Sequence, residues 1–137
     1  MISEEKKVVS EFYSSDFFNK NSNIEKFLHP EMELFWNAAD GYSHMRRDDI
    51  WKVTKEAAKS FDSVRCEITH LLQEDSNVTI RFTFYIRTIE NPNEEMPVAH
   101  FLAIWEIKDG LMYKGYQMSQ PAEEAREAMI SYEGINL

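Results

Sequence analysis

The chain has 137 residues, 43% of them hydrophobic and 28% charged, and its net charge is −9 at pH 7. This size and composition are typical of one globular domain that buries its own core, and the acidic balance argues against nucleic acids and anionic membranes as partners, because both are bound by basic surfaces. The single cysteine, Cys66, excludes an intrachain disulfide and a thiolate metal cluster.

The N-terminal segment shows helical periodicity. Ser3 is placed to cap a first helix, and its apolar positions follow helical spacing: Val8, Val9, Phe12, Tyr13 and then Phe17. The segment lacks the apolar run of a signal peptide, and no stretch approaches the about 20 apolar residues that span a bilayer. We therefore expect a cytoplasmic protein that does not associate with membranes.

A short helix and a strand are predicted next. Ile24, Phe27 and Leu28 form the inward side of the helix, which ends before Pro30 because the residue that precedes a proline avoids the α region. Apolar residues then alternate with others over residues 32–36, which predicts the first strand.

The middle of the chain changes from helical to strand periodicity. Residues 37–46 are predicted as a loop, and a third helix is predicted from about Asp48 to Phe61. Apolar residues then recur at every second position over 64–70 and 78–86, which predicts two strands joined by a turn at 74–77.

The last third contains a hairpin about Asp109-Gly110, a pair that suits the positive φ angles of a tight turn. Side chains alternate along the strand before the turn: one face carries Phe101, Ala103 and Trp105, and the other carries His100, Leu102 and Ile104. The strand after the turn, 111–119, contains no Asp or Glu, and the tail from 121 to about 132 is compatible with a helix.

Helices followed by four or five antiparallel strands form an α+β pattern. The pattern resembles the nuclear transport factor 2-like superfamily, which includes SnoaL-like polyketide cyclases, ketosteroid isomerase and scytalone dehydratase. The resemblance covers Glu4 to Pro121 and rests on IEKFLHPEMELFW after the first helices, RDDIWKV opening the third helix and HFLAIWEIKDGLMY near the end. It implies one SnoaL-like domain over residues 1–137, built as a cone-shaped barrel in which a curved antiparallel sheet wraps three helices around a pocket. It also implies a homodimer through the outer face of the sheet.

The same resemblance argues against steroid isomerisation. Ketosteroid isomerase uses an aspartate base, with a tyrosine and a protonated aspartate as the oxyanion hole. In this chain Trp36 matches the base, Phe12 matches the tyrosine and Ala103 matches the protonated aspartate. A shift of the match by one residue places Asn37 at the base and Tyr13 at the tyrosine. No reading supplies the base, and the last-strand carboxylate of SnoaL-like cyclases is also absent.

Three residues are candidates for acid–base catalysis. Asp40 and His44 are four residues apart in the loop at the expected mouth of the pocket. His70 shares strand parity with Cys66 and Ile68, which permits an inward orientation, and the pattern leaves open which histidine faces inward. Each candidate has a structural alternative without catalysis. Asp40 is then an ordinary turn residue, His44 a solvated loop histidine and His70 a hydrogen-bonded histidine of the sheet. A dehydratase-type lyase or a hydrolase therefore stays open as an alternative function. The histidine spacing matches no metal-ligand motif, and we expect neither a metal nor a cofactor.

The aromatic residues carry the main functional hypothesis, a pocket for a small apolar or aromatic ligand with no assigned chemistry. The predicted lining is Phe12, Tyr13, Trp36, Phe61, Phe82, Phe84, Phe101, Ala103, Trp105 and Tyr116. The alternative is that these side chains fill the interior completely, because protein cores are densely packed. The apolar face of His100, Leu102 and Ile104 predicts a dimer interface, and a domain that binds a protein partner through its sheet is a third possibility.

Overall fold

The computed structural model describes residues 2–15, 23–123 and 125–133. The elements follow in this order: α1 (Glu4–Ser14), a 3₁₀ turn (Ile24–Lys26), β1 (Leu28–Ala38), β2 (Gly41–Arg46), α2 (Arg47–Ala57), β3 (Phe61–Glu74), β4 (Asn77–Thr88), β5 (Met96–Lys108), β6 (Leu111–Pro121), α3 (Arg126–Met129) and a second 3₁₀ turn (Ile130–Tyr132). None of these helices is both long and apolar enough to cross a bilayer.

The strands form one six-stranded sheet in the order β2-β1-β6-β5-β4-β3. The sheet is curved and does not close, and together with three helices it confirms the predicted α+β cone. Two details are corrected: the sheet has six strands rather than four or five, and β1 runs parallel to β6 while the other neighbours are antiparallel. The parallel pair arises because the chain comes back to β1 only after a long crossover through α2 and the next three strands.

Strand β2 lies within residues 37–46, for which the sequence predicts a loop. It pairs with β1 in a register that runs from Glu33 with Arg46 to Ala38 with Gly41. Its side chains alternate between exposed and half-buried, and none is fully buried. An edge strand of this kind lacks the apolar alternation by which strands are recognised in a sequence.

Helix α1 begins as its sequence predicts, and the predicted position Phe17 lies outside the described residues. The side chain of Ser3 accepts a hydrogen bond of 3.1 Å from the backbone N–H of Lys6, which satisfies one of the free donors at the helix start. Val9, Phe12 and Tyr13 are buried on one side of the helix. This side packs on the concave face of the sheet, which we call the inner face.

The other two predicted helices are shorter than expected. The 3₁₀ turn ends at Lys26, and Leu28 already belongs to β1. Helix α2 ends at Ala57, so Phe61 starts β3 instead of closing the helix. Of the tail predicted over 121–132, the described part is helical only from residue 126 onward.

The predicted turns are present. Asp109 and Gly110 have φ angles of 56° and 76°, the left-handed conformation that a tight hairpin requires. Asp75, in the turn between β3 and β4, has a φ of 54°. These hairpins bring β3, β4, β5 and β6 side by side, so that their inward side chains share one surface.

Candidate functional site

Aromatic side chains from α1, β1, β4 and β5 meet on the inner face. The ring of Phe82 is nearly parallel to that of Phe101, with centroids 5.0 Å apart, and its centroid is 4.4 Å from that of Tyr13. Phe84 contacts both phenylalanines edge-on, at 5.0 and 5.2 Å. Trp36 extends the cluster from β1, 6.0 Å from Phe101. The result is one continuous group of rings.

A chain of hydrogen bonds crosses the buried end of this group. The indole nitrogen of Trp105 donates to the hydroxyl oxygen of Tyr13 over 2.8 Å, and that hydroxyl donates to Oε1 of Gln117 over 3.1 Å. The direction follows from chemistry, because an indole N–H is only a donor and so leaves the tyrosine proton available for the amide oxygen. All three side chains are buried. The chain therefore satisfies polar groups whose burial is otherwise unfavourable.

The position of Trp105 depends on Gly115. The two residues are partners across β5 and β6, and a Cβ atom at position 115 would lie 2.6 Å from the indole ring. No side chain fits at that distance. The glycine therefore provides the space that the Trp105 ring occupies beside β6.

The other end of the group is only half-buried, and we call it the open end. It consists of Trp36, Phe84, Phe101 and the hydroxyl of Ser119. The indole nitrogen of Trp36 donates to that hydroxyl over 2.8 Å. The open end thus offers partly accessible ring surface together with a polar atom, the combination found in small-molecule sites.

The buried side chains that the structure describes are electrically neutral at physiological pH. Burial raises the pKa of the Tyr13 hydroxyl and of the Cys66 thiol, so both groups are protonated at physiological pH. No Asp, Glu, Lys or Arg occurs among the buried side chains of residues 2–15, 23–123 and 125–133. Among the described buried groups, a ligand bound at the inner face therefore meets rings and neutral hydrogen-bonding groups.

The structure does not bring the catalytic candidates together at this site. Asp40 is exposed in the turn between β1 and β2. His44 stacks on Phe35, with centroids 4.7 Å apart and an interplanar angle of 4°, and its Nε2 atom is 3.7 Å from the carboxylate of Glu33. Phe35 also stacks on Tyr116, so His44 belongs to the outer face of the sheet.

His70 faces outward rather than inward, because β3 contains a register shift. Ile68 pairs with Phe82 and His70 with Arg81, so one extra residue, Thr69, lies between the two pairs. A bulge of this kind exchanges the two faces for every later residue of the strand. The side chain of His70 is exposed, and its Nδ1 atom lies 2.9 Å from the hydroxyl of Thr69.

The remaining predicted pocket residues fall in three places. Phe12 and Ala103 are buried in the core, and Phe61 is half-buried at the start of β3. Tyr116 lies on the outer face and is 51% exposed. Side chains alternate along β6, and the residues on either side of Tyr116, Gly115 and Gln117, are the ones that face inward. The structure therefore places Tyr116 outside the inner-face site.

The outer face carries the residues predicted to form an interface. Leu102 and Ile104 are 48% and 44% exposed, beside the exposed side chains of Tyr116 and Met118 on β6. His100 lies on the same face but is only 6% exposed. The ring of Tyr132, in the C-terminal segment, stacks on it at 3.6 Å between centroids and accounts for the difference.

A surface cleft with a volume of about 550 Å³ lies between α1 and the turns at Ser76 and Gly110. Trp36, Phe84 and Trp105 do not line this cleft or the described clefts beside Trp51, Tyr132 and Glu133. In the described part of the chain these rings contact one another or neighbouring core groups and leave a half-buried aromatic surface at the open end.

Gln117 is a member of the site that sequence reasoning missed. It lies on the inner face of β6, between Gly115 at the buried end and Ser119 at the open end, and it pairs with Ala103 and Trp36. The sequence does contain a signal for this residue. Along β6 the small or polar residues Gly115, Gln117 and Ser119 alternate with larger residues that face outward. Polar residues on a sheet face that is otherwise apolar are candidates for hydrogen bonding to a buried group or to a ligand.

The family model of the SnoaL-like domain matches residues 9–114, which is most of the chain. The protein therefore belongs to the SnoaL-like domain family, within the nuclear transport factor 2-like superfamily. A search of curated proteins found no match.

Solved structures share the fold at low sequence identity. AclR from Streptomyces galilaeus, a candidate hydroxylase, has a TM-score of 0.69 at 14% identity, over 100% of this chain and 89% of that one. IdmH from Streptomyces antibioticus, a candidate polyketide cyclase, has a TM-score of 0.66 at 13% identity, over 85% and 92%. An LEH-like epoxide hydrolase from M. tuberculosis has a TM-score of 0.64 at 11% identity, over 85% and 82%. These structures carry names of three different activities, so the shared fold assigns no chemistry.

Proposed function

We propose that this protein binds a small, flat apolar or aromatic molecule at the open end of the inner face, against Trp36, Phe84 and Phe101. No reaction is assigned to the site. The SnoaL-like family is a family of ligand-binding pockets, and this chain keeps the aromatic lining of such a pocket.

One observation carries the proposal: Trp36 and Phe84 each contact Phe101 from a neighbouring part of the sheet, and all three rings stay half-buried. A core that served packing alone would place its largest rings where they are fully covered, as Phe82 and Trp105 are. A flat ligand that covers the open end removes apolar surface from water at about 25 cal/mol per Å² and adds ring contacts.

The site supports binding better than it supports proton transfer. General acid–base catalysis needs a titratable side chain within hydrogen-bonding reach of the reacting atom. The candidates Asp40, His44 and His70 lie in a turn or on the outer face, and the tyrosine at the inner face already uses its proton in a hydrogen bond to Gln117. A lyase or hydrolase that uses a His/Asp/Tyr set is the alternative, and these positions count against it.

The test is binding of Nile red, a neutral planar dye whose emission rises in apolar surroundings. We expect saturable binding in the micromolar range, and we expect Trp36→Ala to weaken it by about tenfold through loss of a ring contact and buried area. Trp51→Ala is the matched control, because Trp51 is 39% exposed on α2, away from the site.

Circular dichroism melts of both variants show whether each is folded at the temperature of the assay. A folded Trp36→Ala variant that binds the dye as tightly as the wild type rules out the open end as the site. Absence of saturable binding to the wild-type protein contradicts the proposed function itself.

The proposal also includes a homodimer, formed through the outer face of the sheet. Leu102, Ile104, Tyr116 and Met118 lie on two adjacent strands and are between 44% and 65% exposed. An apolar patch of this kind is typical of a protein interface.

We also propose that the protein is cytoplasmic. Its one cysteine cannot form an intrachain disulfide, the bond that is typical of proteins in oxidising compartments.

A further inference from the structure

The hydrogen-bond chain at the inner face determines how the amide of Gln117 is oriented. Oε1 accepts the proton of Tyr13, whose hydroxyl oxygen in turn accepts from Trp105. The tyrosine proton has to find an acceptor, and the amide oxygen supplies it. The Nε2 group of Gln117, with its two protons, is therefore directed away from Tyr13.

This Nε2 group is available to a ligand. It makes no hydrogen bond to another residue of the described chain. Gln117 itself is buried, with only 5% of its surface exposed. Every fully buried side-chain nitrogen and oxygen in that part of the chain has a partner. Nε2 is therefore not fully buried, and a hydrogen-bond acceptor can reach it from its accessible side.

The surroundings of the amide select the kind of acceptor. On the inner face Gln117 has Trp36 beside it on β1 and Ala103 beside it on β5, with Ser119 two residues along β6. No cationic side chain is buried in the described ranges. An ionised ligand group would lose its hydration without gaining a counter-charge, whereas a carbonyl oxygen needs only a neutral donor.

We propose that the side-chain amide of Gln117 donates a hydrogen bond to the carbonyl oxygen of a neutral aromatic ligand whose ring system lies against Trp36 and Phe101. This inference rests on the proposed function, because it names the ligand class of the same site. The tyrosine and the tryptophan act behind the amide: they hold its oxygen, so that the two N–H groups face the ligand.

The test compares three probes of the same ring system by titration calorimetry: methyl naphthyl ketone, ethylnaphthalene and naphthoate. We expect the wild-type protein to bind the ketone about tenfold more tightly than the hydrocarbon, the usual effect of one neutral hydrogen bond to a buried donor. Naphthoate should bind the most weakly of the three. The bound ketone should also show a lowered C=O stretching frequency in the infrared spectrum.

Gln117→Met keeps the length of the side chain and removes the donor. The ratio of the ketone to the hydrocarbon affinity should fall to about one in this variant. The ratio is measured within each protein, so a general loss of stability or affinity cancels. Gln120→Met is the matched control, since Gln120 is exposed on the same strand and should retain the wild-type ratio.

The outcomes separate this inference from the proposed function. Equal affinity of the wild type for the ketone and the hydrocarbon leaves the aromatic site standing and overturns the role of Gln117. Naphthoate binding more tightly than the ketone overturns the neutral ligand class. Failure of all three probes to bind contradicts the proposed function and this inference together, and none of these wild-type measurements requires a variant to fold.

Discussion

The indole nitrogen of Trp105 lies 2.8 Å from the hydroxyl oxygen of Tyr13, so β5 and α1 are joined by a hydrogen bond between residues 92 positions apart in the chain. Two features make this bond possible. Gly115 leaves room for the indole ring over β6, and the buried side of α1 holds the tyrosine over the sheet. The bond also fixes which way the tyrosine proton points, and through it the orientation of Gln117.

Tyr13→Phe should destabilise the protein by about 1–3 kcal/mol, because it removes the acceptor of the Trp105 N–H and the donor to Gln117 while leaving both partners buried. Urea unfolding measures the change. Tyr42→Phe is the matched control, since Tyr42 is 61% exposed, and it should change stability by less than about 0.5 kcal/mol. Equal effects of the two variants would show that the buried hydroxyl contributes nothing.

Gly115→Ala should destabilise by about 1–3 kcal/mol, as overpacked cores do, because the new methyl group overlaps the ring of Trp105. The sign is informative, since an alanine in an ordinary strand position is favoured over glycine. Thermal melts measure the loss, and a shift of tryptophan emission reports displacement of the ring. Gln120→Ala, at an exposed site on the same strand, serves as the control. A neutral or stabilising Gly115→Ala would mean that the indole moves aside freely.

Stability should fall as the pH drops below about 6.5, the ordinary pKa of histidine. Burial, and then the positive charge of Arg81, lower the pKa of His100 in the folded protein. The groups that face its ring are Thr83, whose hydroxyl is 2.7 Å from Nδ1, and the stacked ring of Tyr132, on which the Arg81 guanidinium also lies. The unfolded chain therefore binds a proton that the folded chain resists, so stability is retained above that pH and lost below it.

His100→Asn removes the titrating group and keeps an acceptor near Thr83. Urea unfolding at several pH values between about 7 and 5 should show a smaller loss of stability for this variant than for the wild type. If the stability of the two proteins falls equally with pH, His100 is not the source of the pH dependence. At lower pH, Glu95 adds a second loss in both proteins, because its hydrogen bonds to Arg65 lower the pKa of its carboxyl group.

Ile104→Lys should weaken the proposed dimer by at least about tenfold, because an unpaired charge would be buried in the contact. Sedimentation equilibrium at micromolar concentration measures the association. Ile89→Lys is the control, since Ile89 is similarly exposed, at 54%, but lies beyond the end of β4 and away from the patch. A wild-type protein that sediments as a monomer would remove the interface from the proposal.

Several features of this protein follow from its sequence alone. Period-two alternation predicts which residues of β4 and β5 share a face, because side chains must point to opposite sides of a strand. Asp109-Gly110 predicts the hairpin, because the turn requires positive φ angles that this pair adopts readily. Ser3 predicts the start of α1, because its side chain satisfies a free backbone donor. These are local rules, and they determined the α+β fold class and the meeting of the rings.

The tertiary structure decided what depends on partners distant in the chain. The bulge at Thr69 turned His70 to the outer face, and only the pairing of β3 with β4 reveals it. Strand β2 exists because β1 supplies its hydrogen-bonding partner, since its own side chains bury little apolar surface. The role of Gln117 depends on a hydroxyl 104 positions away and on a glycine that admits an indole ring. No local pattern encodes such contacts, because hydrogen-bond direction and close packing are properties of the assembled core.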